Sequence, residues 1–219
     1  MIFLVSKNNE WSVNLYNNLK NDYDCRFYND DTYISELNSL NPDWVFFFHW
    51  SKIVPSEIYE NYQCVVIHTG NLPKNRGGSP LQNQIIEGIT NTNVNAIQMI
   101  KDLDGGDIYC SLPLTLQGSL SDIWISISTI AYQLISTCVS GNYKLKQQVG
   151  IPQIYKRKKD NKINFSSDND LRKIYDQVRC LDAESYPSSY CIVGNYKLEF
   201  SRAKLDNGVL IADVRITST

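Results

Sequence analysis

The densest group of potentially reactive residues lies between Cys64 and Tyr109. His68 ends an apolar run, and Asp104 precedes two glycines in Asp104-Gly105-Gly106. A histidine can carry a proton near neutral pH, and a carboxylate can orient the imidazole or an ordered water and favour the cationic ring. Such a pair suits general acid–base catalysis.

Each residue of the pair also has an ordinary structural interpretation. A histidine at a strand end is often satisfied by a backbone partner, and an Asp before glycines is commonly a turn residue. Between the two lie the Leu72-Pro73 step and the Gly-rich stretch Arg76-Gly77-Gly78-Ser79-Pro80. Taken together with these segments, the pair favours catalysis.

The overall charge argues against a nucleic-acid partner. The net charge is −2 and the sequence pI is about 5.7, so the chain has no general basic footprint. The one basic run, Lys156-Arg157-Lys158-Lys159, is interpreted as a solvated linker, with contact to a phosphate as the alternative. Since His49 and His68 are the only histidines, we also expect no metal site.

The apolar segments and the cysteines indicate the cellular compartment of the protein. No apolar run approaches the ~20 residues needed to cross a bilayer, so no membrane association is expected. The stretch Met1–Val5 is interpreted as a first strand, not a signal peptide. Six scattered cysteines without a C-x-x-C pair are typical of reduced thiols, which predicts a cytoplasmic protein.

The hydrophobic pattern predicts an α/β fold. Continuous apolar runs such as Trp44–Phe48 are typical of strands buried on both faces, and they alternate with helical patterns. This order favours an open, doubly wound, mostly parallel sheet of the Rossmann type. Ligands of such sheets bind beyond the carboxyl ends of the strands. Three segments with reactive or turn-forming residues follow predicted strands, at residues 49–55, 68–80 and 102–107.

The composition shifts after Gly150. We therefore predict a catalytic domain over residues 1–150, a linker over 151–164 and a small C-terminal subdomain over 165–219. In that subdomain Asp168 is expected to cap a helix that runs to Leu181. Three strand-like pieces follow, separated by Gly194-Asn195 and Asp206-Asn207-Gly208, which predicts an antiparallel β subdomain.

The order H-x-x-x-L-P, R-G-G-x-P and L-D-G-G-D-I, which begins at His68, resembles the 10-formyltetrahydrofolate-dependent formyltransferases. The resemblance covers nearly the whole chain, although only the central motif is specific. His68 and Asp104 match the catalytic histidine and aspartate of that superfamily. The implied reaction moves a formyl group from N10 of the folate to an amine through a tetrahedral oxyanion.

Within the superfamily, His49-Trp50-Ser51, Arg76–Asn83 and Leu198–Ala203 are most similar to sugar N-formyltransferases of pseudaminic-acid-type pathways. This implies, as acceptor, a UDP- or dTDP-linked 4-amino-4,6-dideoxy sugar used in surface polysaccharide biosynthesis, and it is compatible with a homodimer. Methionyl-tRNA, glycinamide ribonucleotide and a carrier-bound amino acid remain alternative acceptors. Two further alternatives are a folate- or nucleotide-binding protein that has lost catalysis and a hydrolase that passes the formyl group to water.

The resemblance also assigns binding residues. Backbone contacts to N10-formyltetrahydrofolate are expected from two loops, which contain Lys52, Ile53, Val54, Ile100, Lys101, Asp102 and Leu103. Contacts to the acceptor are expected from Trp50, Lys74, Arg76, Gly78 and Gln82. Arg76 and Lys74 suit a diphosphate, with ordinary surface charge as the alternative. Loop packing is the alternative for Ile53 and Val54, and a core aromatic for Trp50.

One position departs from the pattern. The superfamily has Asn two residues before the histidine, and this chain has Val66. Since valine donates no hydrogen bond, the oxyanion donor must come from elsewhere. Asn83 is the first expectation, with Gln82, His49 or backbone amides as alternatives. Loss of one such donor typically lowers the rate by ~10²–10³ without abolishing it.

Overall fold

The computed structural model describes residues 1–163, 165 and 170–219. Its helices are α1 (Glu10–Asp22), α2 (Thr32–Leu40), α3 (Ser56–Asn61), α4 (Pro80–Ile86), α5 (Leu120–Val139) and α6 (Leu171–Arg179). Its strands are β1 (Ile2–Ser6), β2 (Cys25–Tyr28), β3 (Trp44–Phe48), β4 (Cys64–Thr69), β5 (Arg76–Gly77), β6 (Asn91–Gln98), β7 (Ile108–Thr115), β8 (Ile154–Tyr155), β9 (Ser189–Val193), β10 (Tyr196–Asp206) and β11 (Val209–Ser218).

These elements form two compact units. The first unit contains residues 1–77, 92–114 and 125–154, and the second contains residues 78–91, 115–124 and 155–219. The domain boundaries expected at residues 150 and 165 stay predictions.

A six-stranded sheet organises the first unit, with the order β2-β1-β3-β4-β6-β7. β1 is parallel to β2 and β3, and β3 is parallel to β4, which confirms the mostly parallel open sheet. β6 is antiparallel to β4 and places Gln98 opposite Val65. β6 therefore ends beside the start of β4. Residues 102–107 follow β6 as expected, but β6 is antiparallel to β4, so this connection starts at the end of β4 opposite to His68.

Helices cover both faces of this sheet, because its strands are apolar on both sides. One face packs under α2 and α3, through Phe3, Val5, Tyr33, Leu37, Val45, Phe47 and Ile58. Alternate strand residues point to the other face. There the ring of Tyr16 in α1 lies 5.4 Å from that of Phe27, and Ser128 Oγ of α5 donates to the Trp11 carbonyl at 2.8 Å.

Helix α5 has the length and apolar composition of a helix that could cross a membrane. Its stripe Ile127, Ala131, Leu134, Ile135 and Cys138 is nevertheless buried inside the protein. A helix with one face in the core passes the same test of length and composition, so this feature is weak support for a membrane span.

The second unit contains an antiparallel sheet with the order β11-β10-β9, as predicted for the C-terminal region. α6 packs on it through Ile174 and Val178, against Phe200 and Leu210. The predicted cap Asp168 lies outside the described residues. The observed cap is Asp170, whose side chain accepts a hydrogen bond from the Lys173 amide at 2.8 Å.

Candidate active site

His68 lies near the end of β4 with its side chain 6% exposed. Its Nε2 atom is 2.9 Å from the Asn75 carbonyl oxygen. Its Nδ1 atom is 3.5 Å from Oδ2 of Asp104. Both ring nitrogens therefore face acceptors, and the ring satisfies both when each nitrogen carries a proton. The predicted pair is brought together, with Asp104 only 10% exposed.

The loop after β4 supplies the carbonyl that faces His68. Asn75 is buried and has a φ of 63°, a left-handed conformation that Asn tolerates better than most residues. Its side-chain oxygen accepts a hydrogen bond from the Asn71 amide at 3.1 Å, which closes the loop locally. A Cβ atom at Gly70 would lie 2.9 Å from that of Asn75, so this position requires glycine for space.

Asp104 occupies a tight turn between β6 and β7. Its φ is 50°, and its Oδ2 atom accepts a hydrogen bond from the Gly77 amide at 2.8 Å. A Cβ atom at Gly106 would overlap the Gln98 carbonyl, and one at Gly105 would lie 2.9 Å from the Cβ of Asp102. The two glycines thus let this connection fold back until the carboxylate reaches His68, although β6 itself ends at the other end of β4.

Asn95, a residue that the sequence reasoning missed, fixes the backbone around His68. It lies opposite His68 in the β4–β6 register and is 2% exposed. Its amide nitrogen donates to the carbonyls of His68 at 3.3 Å and Gly70 at 2.8 Å, while Ser111 Oγ donates to its side-chain oxygen at 2.6 Å. A polar amide inside an otherwise apolar strand is the sequence signal that could have identified it.

Val66, which stands where the superfamily has Asn, brings no hydrogen-bond donor to the site. Val66 lies two residues before His68 on the same face of β4. Asn83, the first expected substitute, donates from its amide nitrogen to the carbonyls of Gly78 at 3.0 Å and Lys156 at 3.1 Å. The oxyanion role of Asn83 stays a prediction, and it now requires that one of these hydrogen bonds be released.

Gln82 and His49, the other two side chains considered as oxyanion donors, are both largely buried. Gln82 is 5% exposed, and its Nε2 atom has no hydrogen-bond partner within the described part of the chain. His49 accepts hydrogen bonds at Nδ1 from Asn9 at 2.9 Å and Trp11 at 3.2 Å. Burial, helped by the charge of Lys7, lowers the pKa of His49 to about 3, so this ring stays neutral.

The two loops expected to hold the folate share one hydrophobic layer. Val54 is buried in the cluster under α2 and α3, and Trp50 and Met99 pack against the same cluster. Beside it, Ile53 is 96% exposed and Leu103 is 62% exposed. The remaining members of the two loops, Lys52, Ile100, Lys101 and Asp102, are exposed as well.

This arrangement fits a flat ligand with polar edges. Trp50 keeps its indole N–H buried without a partner among the described residues, and exposed apolar side chains lie in both loops. An orphaned donor beside uncovered apolar groups is the pattern expected where a heteroaromatic ring binds. Lys52 pairs with Asp31 at 2.7 Å and lies over the Trp50 ring. The folate contacts assigned to these loops stay predictions.

The residues expected to bind the acceptor have varied surroundings. Lys74 is exposed. Arg76 donates from Nε and from one terminal nitrogen to the side-chain oxygen of Gln148, at 3.0 and 2.6 Å. Gly78 allows a close backbone approach, because a Cβ atom there would lie 2.8 Å from the backbone of Arg157. The diphosphate contacts of Lys74 and Arg76 stay predictions.

No group of three His, Cys, Asp or Glu side chains stands close enough to hold a metal ion among the residues that the structure describes.

Comparison with known proteins identifies the family to which this site belongs. A family model described as formyl transferase matches residues 2–118, which include His68 and Asp104. The chain belongs to the formyl transferase family. A second model, described as the C-terminal domain of methionyl-tRNA formyltransferase, matches residues 158–217.

Individual members of the formyl transferase family agree with this assignment. A solved structure described as methionyl-tRNA formyltransferase from Clostridium thermocellum is 36% identical, with a TM-score of 0.93 and 100% of both chains covered. A methionyl-tRNA formyltransferase of Thermodesulfovibrio yellowstonii is 28% identical over 191 residues, which are 82% of this chain and 60% of that protein. The chain therefore spans only about 60% of the length of that curated relative.

A sugar enzyme shares the fold of this chain at lower sequence identity. It is described as WlaRD, a sugar 3N-formyl transferase, in the presence of dTDP and 5-N-formyl-THF. It is 17% identical, with a TM-score of 0.65, and 97% of each chain is covered.

Proposed function

We propose that this chain transfers the formyl group of 10-formyltetrahydrofolate to a primary amine. The observation that carries the proposal is the buried contact between His68 and Asp104, at 3.5 Å, inside the segment matched by the formyl transferase family. The folate supplies an activated formyl group at N10. The Lys52–Val54 and Ile100–Leu103 loops would hold it, beside the indole N–H of Trp50, which has no partner in the part of the chain that the structure describes.

His68 performs the proton transfer in this proposal. An attacking amine must lose a proton, and the departing nitrogen of the folate must gain one. An imidazole that gives and takes one proton serves both ends of that exchange. Asp104 faces Nδ1 and orients the ring, while the Gly77 amide holds the carboxylate in place. The cationic ring also stabilises a developing negative oxygen, which compensates in part for the valine at position 66.

Methionyl-tRNA is the first acceptor to consider. The relatives with the highest sequence similarity given above carry that name, and the Clostridium thermocellum structure matches this chain along its full length. Their names also count against the expectation that the chain binds no nucleic acid. A protein that binds tRNA through phosphate contacts should lose affinity steeply as salt is raised.

A nucleotide-linked amino sugar is the second candidate, and the charge of the chain favours it. A net charge of −2 and a pI of about 5.7 provide little general attraction for tRNA. The sugar 3N-formyl transferase solved with dTDP has the same fold, although at 17% identity it supports the fold alone. A cytoplasmic location and a role in surface polysaccharide synthesis stay predictions.

One assay tests the reaction and separates the acceptors. The protein is mixed with 10-formyltetrahydrofolate and, in parallel, with methionyl-tRNA, with dTDP- or UDP-linked 4-amino-4,6-dideoxy sugars, or with no acceptor. Tetrahydrofolate release and the added mass of one formyl group on the acceptor are both followed. Turnover with one acceptor identifies it, and folate release without any acceptor indicates hydrolysis. The proposal fails if no acceptor gains a formyl group while a known formyl transferase works in the same mixture.

A further inference from the structure

The side chain of Gln148 takes part in four hydrogen bonds. Its Nε2 atom donates to the carbonyls of Asp104 and Gly106, each at 2.8 Å. Its Oε1 atom accepts from Nε and from a terminal nitrogen of Arg76, at 3.0 and 2.6 Å. Both amide protons and both lone-pair directions of the oxygen are therefore used. The neighbours Gln147 and Val149 are exposed, whereas Gln148 is half-buried.

These hydrogen bonds hold the turn that carries Asp104. A φ of 50° is unfavourable for a residue with a Cβ atom, and it persists when surrounding contacts fix it. The two donated bonds bracket the turn from the Asp104 carbonyl to the Gly106 carbonyl. The side chain of Asp104 has its own anchor in the Gly77 amide. Gln148 thus fixes the backbone and Gly77 fixes the carboxylate.

We propose that Gln148 is a positioning residue for formyl transfer, which acts through Asp104 by holding its carboxylate opposite His68. This inference rests on the proposed function, because it assigns Gln148 to the same site. Arg76 orients the Gln148 amide so that its nitrogen, and not its oxygen, faces the carbonyls of Asp104 and Gly106. A guanidinium can only donate, so it selects this orientation of the amide.

The substitution Gln148→Glu isolates the two donated hydrogen bonds. It preserves the shape of the side chain and an acceptor for Arg76, but it places a carboxylate oxygen opposite two carbonyls. We expect kcat to fall about tenfold to a hundredfold, as when a reacting group is misplaced by ~1 Å. The KM for the formyl donor should change less than about threefold, because the loops assigned to the folate are untouched. Gln147→Glu is the matched control, since it makes the same charge change at an exposed neighbour and should leave kcat unaltered.

A double-mutant cycle with Asp104→Asn distinguishes positioning from general support of the fold. If Gln148 acts through the Asp104 carboxylate, Gln148→Glu should cost little further kcat once that carboxylate is neutral. A residue that only stabilises the fold would lower kcat by the same factor in both backgrounds. Gln148→Met removes the donors without adding charge, and it repeats the cycle should the Glu variant not fold.

The possible results distinguish failure of this inference from failure of the proposed formyl transfer. The inference is supported if the wild type is active and if Gln148→Glu or Gln148→Met lowers kcat when Asp104 is present but not when it is replaced by Asn. An active wild type with unchanged kcat in these variants, or with equal losses in both backgrounds, overturns it while the function stands. A wild type that formylates no acceptor overturns the proposed function and this inference together.

Discussion

Nδ1 of His68 and Oδ2 of Asp104 lie 3.5 Å apart, although Asp104 follows β6, a strand that runs antiparallel to β4 and ends beside the start of β4. The contact exists because the connection after β6 folds back until Asp104 reaches His68, near the end of β4. The ring lies between a carboxylate and the Asn75 carbonyl, so each of its nitrogens faces an acceptor.

His68→Asn should abolish most formyl transfer. The shorter amide cannot carry a proton between the amine and the folate nitrogen, and the loss of general acid–base catalysis typically costs about 10²–10⁴ in kcat. Binding of the formyl donor should remain, since its predicted loops contain no part of His68. Kinetics and titration with the folate measure the two effects separately. A variant with more than half of the wild-type kcat would remove His68 from the mechanism.

Breaking a buried ion pair in the second unit should lower the stability of the fold strongly. Arg179 Nε lies 2.6 Å from Oδ1 of Asp176, and both side chains are no more than 3% exposed. Arg179 also donates to the Leu116 and Gly118 carbonyls. Arg179→Met should lower the free energy of unfolding by about 3–5 kcal/mol, because it leaves a carboxylate buried with less compensation.

Arg172 provides the matched control for that substitution. It contacts the same carboxylate at 3.2 Å, but its side chain is 50% exposed. Arg172→Met should therefore cost at most about 1 kcal/mol. Urea unfolding of the two variants tests the difference, and equal losses would contradict the role of burial.

The elements of the fold could be predicted because burial imposes a period on the sequence. The apolar run Trp44–Phe48 has the bounds of β3, and the predicted first strand Met1–Val5 differs from β1 by one residue at each end. The direction of β6 could not be predicted in the same way. An alternating strand shows which face is buried, but it does not indicate whether its neighbour is parallel or antiparallel.

The residues of the candidate site that lie in local sequence motifs could be predicted, and those placed only by tertiary contacts could not. His68 and Asp104 were found from local motifs, in which glycines and a proline mark the turns. Gln148 was missed, because its hydrogen bonds join residues 44 and 72 positions apart and leave no local signal. Asn83 was proposed as a donor from its residue type alone. Its two carbonyl partners depend on tertiary structure.

Cys110 should be the most reactive thiol. A hydrogen bond with Cys138 lowers the pKa of Cys110, which is also only partly buried. Burial raises the pKa of Cys25, Cys64 and Cys180 to about 12. Because the thiolate is the nucleophile, iodoacetamide at about pH 8 should modify Cys110 first.

Mass spectrometry of the native protein over a time course measures that order. Cys138→Ala removes the hydrogen bond and should slow the labelling of Cys110 at the same pH. Faster labelling of any of the three thiols with raised pKa would contradict the prediction.

His49 should make the fold sensitive to mild acid. Its pKa is lowered to about 3 in the folded protein, against ~6.5 for an unperturbed histidine. Between these values the unfolded chain binds the extra proton, so the free energy of unfolding falls as the pH drops below ~6.5, by at most ~1.4 kcal/mol per pH unit. His49→Asn removes the titration. It also suits the φ of 47° and places an acceptor where Nδ1 receives Asn9 and Trp11. Chemical denaturation from about pH 8 to about pH 4 should show the wild type losing stability relative to this variant only below ~6.5. Parallel curves through that range would mean that His49 does not stay neutral in the fold.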